Sequence, residues 1–455
     1  MTILWLVALP LGVALVVLLL RNLRLIAAPL SAATLTVMII LFATRGQTIS
    51  QIILGRSVGL THQESVGLAF CCFLLALLMI YSYRLPQGPL AYPLTLLAMS
   101  LFVAATMVRN LAIAGLILGL GAIAAVMLVP SRRPGSAMAG MRALILLVLA
   151  IPLLLLAAWA IESRGGTPNE FALARVGGLT LALGFAIGLA VVPFFVWLPP
   201  VFGYSDPLAM VMLSVVLNIA VLLRLSHMLQ ASMWPGGREF FSTLLIADGI
   251  GTALVGSLLA LPQRSVSRAL AYAAMADLGV VLLGLGIGSE TSVSAAILHV
   301  GYRGVGIMVV SMALGILRHC LDGDDIDHLR TAWRRAPFAV AGMAIGGFSL
   351  AGLPLTAGFT TRLLLYRALA AHSMTWAVAI IACSLGPAWA FMRCVLAAMS
   401  SAPTSGIRRE PFVPGLLTLL LGLTLLIVGC CPYLLTLLPI QGLETLFPGV
   451  FNIGG

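Results

Sequence analysis

Apolar runs long enough to cross a lipid bilayer follow one another along this chain, and they leave few folds open to it. Read with a window of roughly 18–24 residues, the runs fall at about 2–20, 25–43, 66–83, 91–108, 111–130, 143–161, 177–198, 207–229, 241–262, 266–287, 293–317, 337–353, 356–373, 375–399 and 412–435. Inside lipid no water satisfies a backbone N–H or C=O, so only helices or closed barrels can span it. The alternating strands of roughly ten residues that mark a membrane barrel are absent. The expectation is an all-α, polytopic membrane helix bundle of about 14 transmembrane helices, forming a single integral membrane domain over residues 1–455. The first run has bilayer length and ends in Arg21 and Arg24, so it reads as a spanning helix and not as a cleaved signal.

Composition excludes the competing classes. The chain is 61% hydrophobic and 9% charged, against roughly 45–50% and about 25% in soluble domains. That removes a soluble enzyme, a disordered chain and a DNA-binding domain. The net charge of +11 comes from 25 basic and 14 acidic residues, and every basic residue is Arg. Arg does not give up its proton in a protein, whereas Lys can. The charges sit mostly between the runs. Arg21, Arg24, Arg132, Arg133, Arg142, Arg264, Arg268 and the stretch from Arg318 to Arg335 fall in odd-numbered loops. Arg45, Arg56, Arg109, Arg164, Arg175, Arg224 and Arg238 belong to the less basic even-numbered side. The positive-inside rule then puts the odd loops in the cytoplasm and the N-terminus on the outer side of a prokaryotic cell membrane. The longest polar loop carries Asp322, Asp324, Asp325 and Asp327. It lacks the EF-hand pattern and its closing Glu, so it reads as a solvated loop. The cysteines have no metal-site spacing and read as small buried hydrophobes.

Ionisable groups inside the runs carry the functional information, because a charge in lipid is costly. Among them are Asp248, Asp277, His299, Arg303, Arg362, Arg367 and Arg393. His299 and Arg303, four apart, share one helix face. Arg224, Arg367 and Arg393 read as side chains that snorkel to the headgroups, while Arg303 and Arg362 read as buried polar groups. Two runs are interrupted by Pro and Gly, one ahead of Asn218 and the other ahead of Arg362. Paired interrupted helices are the mark of inverted-repeat transporters, whose ion site lies at the break.

These segments resemble the antiporter-like membrane subunits of respiratory complex I, the subunit N/M/L type. Related proteins are the large subunits of multisubunit sodium/proton antiporters and of membrane-bound hydrogenases. PFFVWLP (Pro193 to Pro199), the broken stretch SDPLAMVMLSVVLNIAVLLRL, QRSVSRALAYAAMADLG, HVGYR and FSLAGLPLTAGFTTR resemble family motifs in the same order. They define an antiporter-like core at 110–370. The resemblance implies two inverted five-helix repeats, two broken helices, a polar axis along the midplane, and partner membrane subunits. It also implies proton translocation coupled to electron transfer on those partners. The chain departs from the family where protons are carried. The family Glu stands as Gly119, its broken-helix lysines as Asn218 and Arg362, the Lys of its H-x-x-x-K pair as Arg303, and two histidines as Phe195 and Asp277. His299 is retained. The expected pathway residues are His299, Arg303, Asp277, Arg362, Asn218 and Asp248. A degenerate paralogue that keeps the fold without conducting is the alternative. No cofactor is expected, because dinucleotide, P-loop, haem and iron–sulfur motifs are missing.

Overall fold

The computed structural model describes residues 4–44, 49–53, 55–129, 135–163, 170–231, 237–321, 323–400 and 409–431. Arg45, Arg132, Arg133, Arg164 and Asp322, which entered the loop-charge reading, lie outside the described residues. The helices are α1 (Trp5–Leu19), α2 (Arg24–Thr44), α3 (His62–Arg84), α4 (Ala91–Met107), α5 (Leu111–Val126), α6 (Ser136–Glu162), α7 (Glu170–Leu189), α8 (Leu198–Tyr204), α9 (Pro207–Val211), α10 (Leu217–Ala231), α11 (Gly237–Ala260), α12 (Val266–Ile287), α13 (Glu290–Leu321), α14 (Ala332–Arg335), α15 (Pro337–Ala351), α16 (Ala357–His372), α17 (Met374–Cys383), α18 (Leu385–Met399) and α19 (Phe412–Cys430). Among the described residues ten helical spans are long and apolar enough to cross a membrane, and four shorter apolar helices accompany them. The chain is therefore an all-α, multi-pass membrane bundle.

Two compact units are present. Of the described residues, those within 4–190 and 212–240 form the first, and those within 191–211 and 241–431 form the second. In the first unit α2 packs on α3, α4 on α5, and α6 on α7, with α10 against α3, α4, α5 and α7. The start of α3 is fixed by a capping box: the Thr61 hydroxyl accepts from Glu64 N–H, and the Glu64 carboxylate accepts from Thr61 N–H. Asn110 caps α5 through a single bond, its Oδ1 accepting from Ile113 N–H at 3.0 Å. A small antiparallel hairpin, β1 (Ile49–Ile53) with β2 (Arg56–Leu60), pairs Gln51 with Val58. The sequence reading did not foresee it, because strands of five residues give no alternating pattern long enough to notice.

In the second unit α12 and α13 form the centre. Helix α12 packs against α8, α13, α15, α16 and α18, while α13 packs against α9, α15, α16 and α19. A helix that is apolar on all sides belongs in a core, and nearly every residue of α12 is buried. Its small residues permit close backbone approach: a Cβ on Gly279 would lie 2.5 Å from Ala253 N on α11.

Both Pro/Gly-interrupted runs are broken. After α7 the chain forms a 3-10 turn at Phe194–Trp197, then α8, the Ser205–Asp206 step and α9, followed by a π-helical segment at Met212–Val216 that leads into α10. The other run ends α15 at Ala351, turns at Gly352 with φ +73, and restarts as α16 at Ala357.

Candidate functional site

The centre of α12 carries a single acid, Asp277, and the second unit is built around it. Asp277 is 0% exposed, and the three basic groups about it, His299, Arg303 and Arg362, are 1, 3 and 2% exposed. They come from α13 and α16, whose packing against α12 brings three sequence-distant segments to one point. His299 and Arg303 reach it together because a spacing of four residues repeats one helix face.

Asp277 Oδ1 is the shared atom. His299 Nε2 lies 2.8 Å from it, and Arg362 Nε donates to it at 3.1 Å, with Arg362 Nη2 also donating. Asp277 Oδ2 accepts no hydrogen bond among the described residues, and Arg303 Nε stands 3.7 Å away. Arg303 Nη2 donates to Ala274 O at 3.0 Å, which ties it to α12 one turn before the acid. The other ring nitrogen, His299 Nδ1, is 2.7 Å from the Thr361 hydroxyl. Two guanidiniums face one carboxylate, so an ionised Asp277 beside a neutral His299 leaves one net positive charge. Arg stays charged.

Arg362 also closes a helix. Its Nη1 donates to Ala351 O at 2.8 Å and to the Ser384 hydroxyl at 3.0 Å, and its Nη2 donates to Leu350 O at 2.6 Å. Tyr366 OH holds Ser384 in turn at 3.0 Å. Leu350 and Ala351 end α15, where carbonyls lack helical partners and the dipole is negative. Gly352 makes room for this: a Cβ there would sit 2.6 Å from Arg362 Cδ, and its φ of +73 already suits glycine. The opposite end of α15 is closed by an acid. Glu410 accepts from Phe338 N–H at 3.0 Å and Ala339 N–H at 2.8 Å, replacing the cap that Ala336 cannot supply. Burial pushes the Glu410 carboxyl up, opposed by those two backbone N–H bonds.

Of the expected pathway residues, the structure brings together Asp277, His299, Arg303 and Arg362. Asp248 is half-buried on α11 and forms no hydrogen bond or ion pair among the described residues. Asn218 is buried on α10, in the first unit. Thr361, Ser384 and Tyr366 were missed, although Thr361 directly precedes Arg362 and a hydroxyl beside a buried charge is a readable signal.

Three readings are corrected. Arg224 does not snorkel: it is 1% exposed and donates through Nη1 to Val108 O at 2.9 Å, at the C-cap of α4. Arg367 is exposed, as expected of a snorkelling residue, and Arg393 donates to Leu261 O at 2.8 Å. Near Val108, Arg109 pairs with the fully buried Glu64 at 3.4 Å. The Thr61-x-x-Glu64 spacing was legible as a cap and was overlooked. The loop after α13 is not wholly solvated. Asp325 and Asp327 are exposed, but Asp324 accepts from Ser265 Oγ at 3.0 Å and from Ser267 N–H at 3.3 Å. It also pairs with Arg318 at 3.1 Å. Arg318 donates at the same time to the carbonyls of Phe202, Gly203 and Ser205 at the end of α8. Burial raises the Asp324 carboxyl, yet the Arg318 guanidinium and the serine bonds outweigh it and hold it below the usual carboxylate range. Cys430 and Cys431 are exposed, whereas Cys71, Cys72, Cys320, Cys383 and Cys394 are buried as expected. Gly119 is packed shut: a Cβ there would meet Ile151 Cγ1 at 2.3 Å.

Comparison with known proteins agrees with this architecture. The family described as NADH:quinone oxidoreductase/Mrp antiporter, transmembrane, matches residues 109–386. NADH-quinone oxidoreductase subunit N of Moorella thermoacetica is 28% identical over 291 residues, which cover 63% of this chain and 60% of that one. Subunit N of Chromohalobacter salexigens is 33% identical over 208 residues, covering 44% and 41%. The chain thus spans about half the length of the curated relatives it matches. Among solved structures, a chain of respiratory complex I from Thermus thermophilus superposes with a TM-score of 0.84 at 20% identity, covering 100% of both chains. A chain of the Mrp complex from Dietzia sp. DQ12-45-1b gives 0.87 at 16% identity, covering 99% of this chain and 97% of that one. A chain of an archaeal membrane-bound sulfane sulfur reductase gives 0.86 at 21% identity, with 98% coverage of each. These structural likenesses are likenesses of fold.

Proposed function

The chain belongs to the NADH:quinone oxidoreductase/Mrp antiporter membrane family, and on that premise we propose that it is a membrane subunit of an NADH:quinone oxidoreductase-type assembly. In that assembly it takes part in proton translocation, driven by electron transfer on partner subunits. The observation that carries the reading is the Asp277–His299 pair, buried to 0 and 1% exposure in an apolar bundle. Intramembrane ionisable groups are costly and mark ion pathways. Packing alone does not call for a carboxylate and an imidazole in contact there, since an apolar pair of the same volume would pack at least as well.

The roles follow from the chemistry. Arg303 and Arg362 supply fixed positive charge. His299 and Asp277 hold the mobile proton, at Nε2 of the ring or at Oδ1 of the acid. Asn218 and Asp248 are the further polar positions proposed for the path. Gly119, closed by Ile151, contributes none. An N-terminus on the outer side is part of the proposal, supported by the arginine-rich odd loops of the sequence.

The test is purification of the tagged chain from its native membrane in mild detergent, followed by mass spectrometry of what accompanies it. Co-purifying quinone-oxidoreductase subunits support the reading. A chain that comes out alone, or with unrelated proteins, contradicts it.

A further inference from the structure

We infer that Thr361 is a positioning residue of the proton path: its hydroxyl holds the His299 ring at Nδ1 and switches between donor and acceptor as that nitrogen loses or gains a proton. The inference rests on the reading of Asp277 and His299 given above. A neutral imidazole has one N–H and one bare nitrogen, and the partner on one side fixes what the other side must be. Ionised Asp277 is an acceptor only, so Nε2 carries the hydrogen across the 2.8 Å contact. Nδ1 is then bare, and the Thr361 hydroxyl donates to it at 2.7 Å. Thr361 is 0% exposed, so no bulk water competes for that bond.

The hydroxyl has a second place to send its hydrogen. Gly358 O, one turn back on α16, lies 3.4 Å from Thr361 Oγ1. When Nδ1 takes a proton it becomes a donor, and the hydroxyl must accept from it. Rotation about the C–O bond then aims the Thr361 hydrogen at Gly358 O. With a proton added at Nδ1, the Nε2 proton can pass to Asp277 Oδ1 across the same 2.8 Å contact. The ring is then neutral again, as its other tautomer. The charged groups facing the ring are Asp277 from α12 and Arg362 from α16, with Arg303 on its own helix. The sequences of α9 and α15 carry no titratable side chain, and that of α19 carries only Cys430.

Two variants separate hydroxyl from shape. Thr361→Val keeps the volume and removes the hydroxyl, while Thr361→Ser restores it. The first readout is the imidazole 15N spectrum of the chain in lipid, labelled at histidine and assigned with His299→Gln. A protonated Nε2 and a hydrogen-bonded, bare Nδ1 are expected. Thr361→Val should move the Nδ1 resonance to that of a free acceptor, and Thr361→Ser should return it. An Nδ1 signal unmoved in Thr361→Val overturns the inference. The second readout is proton translocation per electron pair by the assembled complex in membrane vesicles. A loss of the protons contributed through His299 is expected for Val, with recovery for Ser. Equal loss in both variants overturns the hydroxyl's role. Full translocation in His299→Gln overturns the underlying reading of the site instead, whatever the spectra show.

Discussion

His299 Nε2 and Asp277 Oδ1 stand 2.8 Å apart in the middle of a membrane bundle, on neighbouring helices, with neither side chain reaching solvent. Arg362 donates to the same Oδ1 from a third helix. The acid is therefore the common partner of two basic groups, with a third close by, and the consequences of changing any of them are unequal.

Removing the acid should be the most damaging single change. Asp277→Asn keeps the volume but leaves two buried guanidiniums without a counter-charge. A broken buried pair costs about 3–5 kcal/mol, and thermal unfolding in detergent should show a drop of that order. Adding Arg303→Met to Asp277→Asn should recover part of it, because one uncompensated charge is then gone. Additive losses in the double variant would mean that the two groups do not interact.

Gly352 should resist substitution. Its φ of +73 is strained for any other residue, and a Cβ would press on Arg362 Cδ at 2.6 Å. Gly352→Ala should cost about 1–3 kcal/mol for the backbone and should also displace Arg362 from the α15 carbonyls. Unfolding midpoints of Gly352→Ala and of Gly55→Ala, whose Cβ meets nothing within 4 Å, separate the two effects. Both have positive φ, and only the first touches Arg362.

The Arg318–Asp324 clasp should make stability fall in acid. The Asp324 carboxyl lies lower in the folded chain than in the unfolded one. Its contribution is therefore complete above the unfolded value of about 3.9 and is lost as pH falls through the lower folded value. Unfolding followed from pH 6 down to about 3 should decline more steeply in the wild type than in Asp324→Asn. Parallel curves would assign the acid sensitivity elsewhere.

Glu410 should matter through the end of α15. Glu410→Ala removes both acceptors for Phe338 and Ala339 N–H and should cost about 1 kcal/mol, the usual worth of an N-cap. Glu410→Gln keeps an acceptor and should lose less. An Ala variant as stable as the wild type would show that water replaces the cap.

The fold was legible because its cause is repetitive. Each bilayer-length run must close its own hydrogen bonds, so run length alone states the helices. The cluster was partly legible: Asp277, His299, Arg303 and Arg362 stand out as charges inside apolar runs. Their mutual contact was not, because Asp277 and Arg362 lie 85 residues apart. Their meeting depends on how α12, α13 and α16 pack. Arg224 was misread for a related reason. Position in a helix does not say whether a long side chain turns toward headgroups or toward a bare carbonyl such as that of Val108. Thr361 carried a weaker signal, because buried hydroxyls usually bond to their own helix, as Thr95 does to Ala91 O.

The most direct measurement is the number of protons moved per electron pair in inverted vesicles carrying the assembled complex with His299→Gln. Glutamine keeps a polar side chain of similar reach and cannot relay a proton. Electron transfer that continues while fewer protons move per electron pair, the shortfall being this chain's share, is the predicted result. An unchanged stoichiometry at normal assembly would contradict the account.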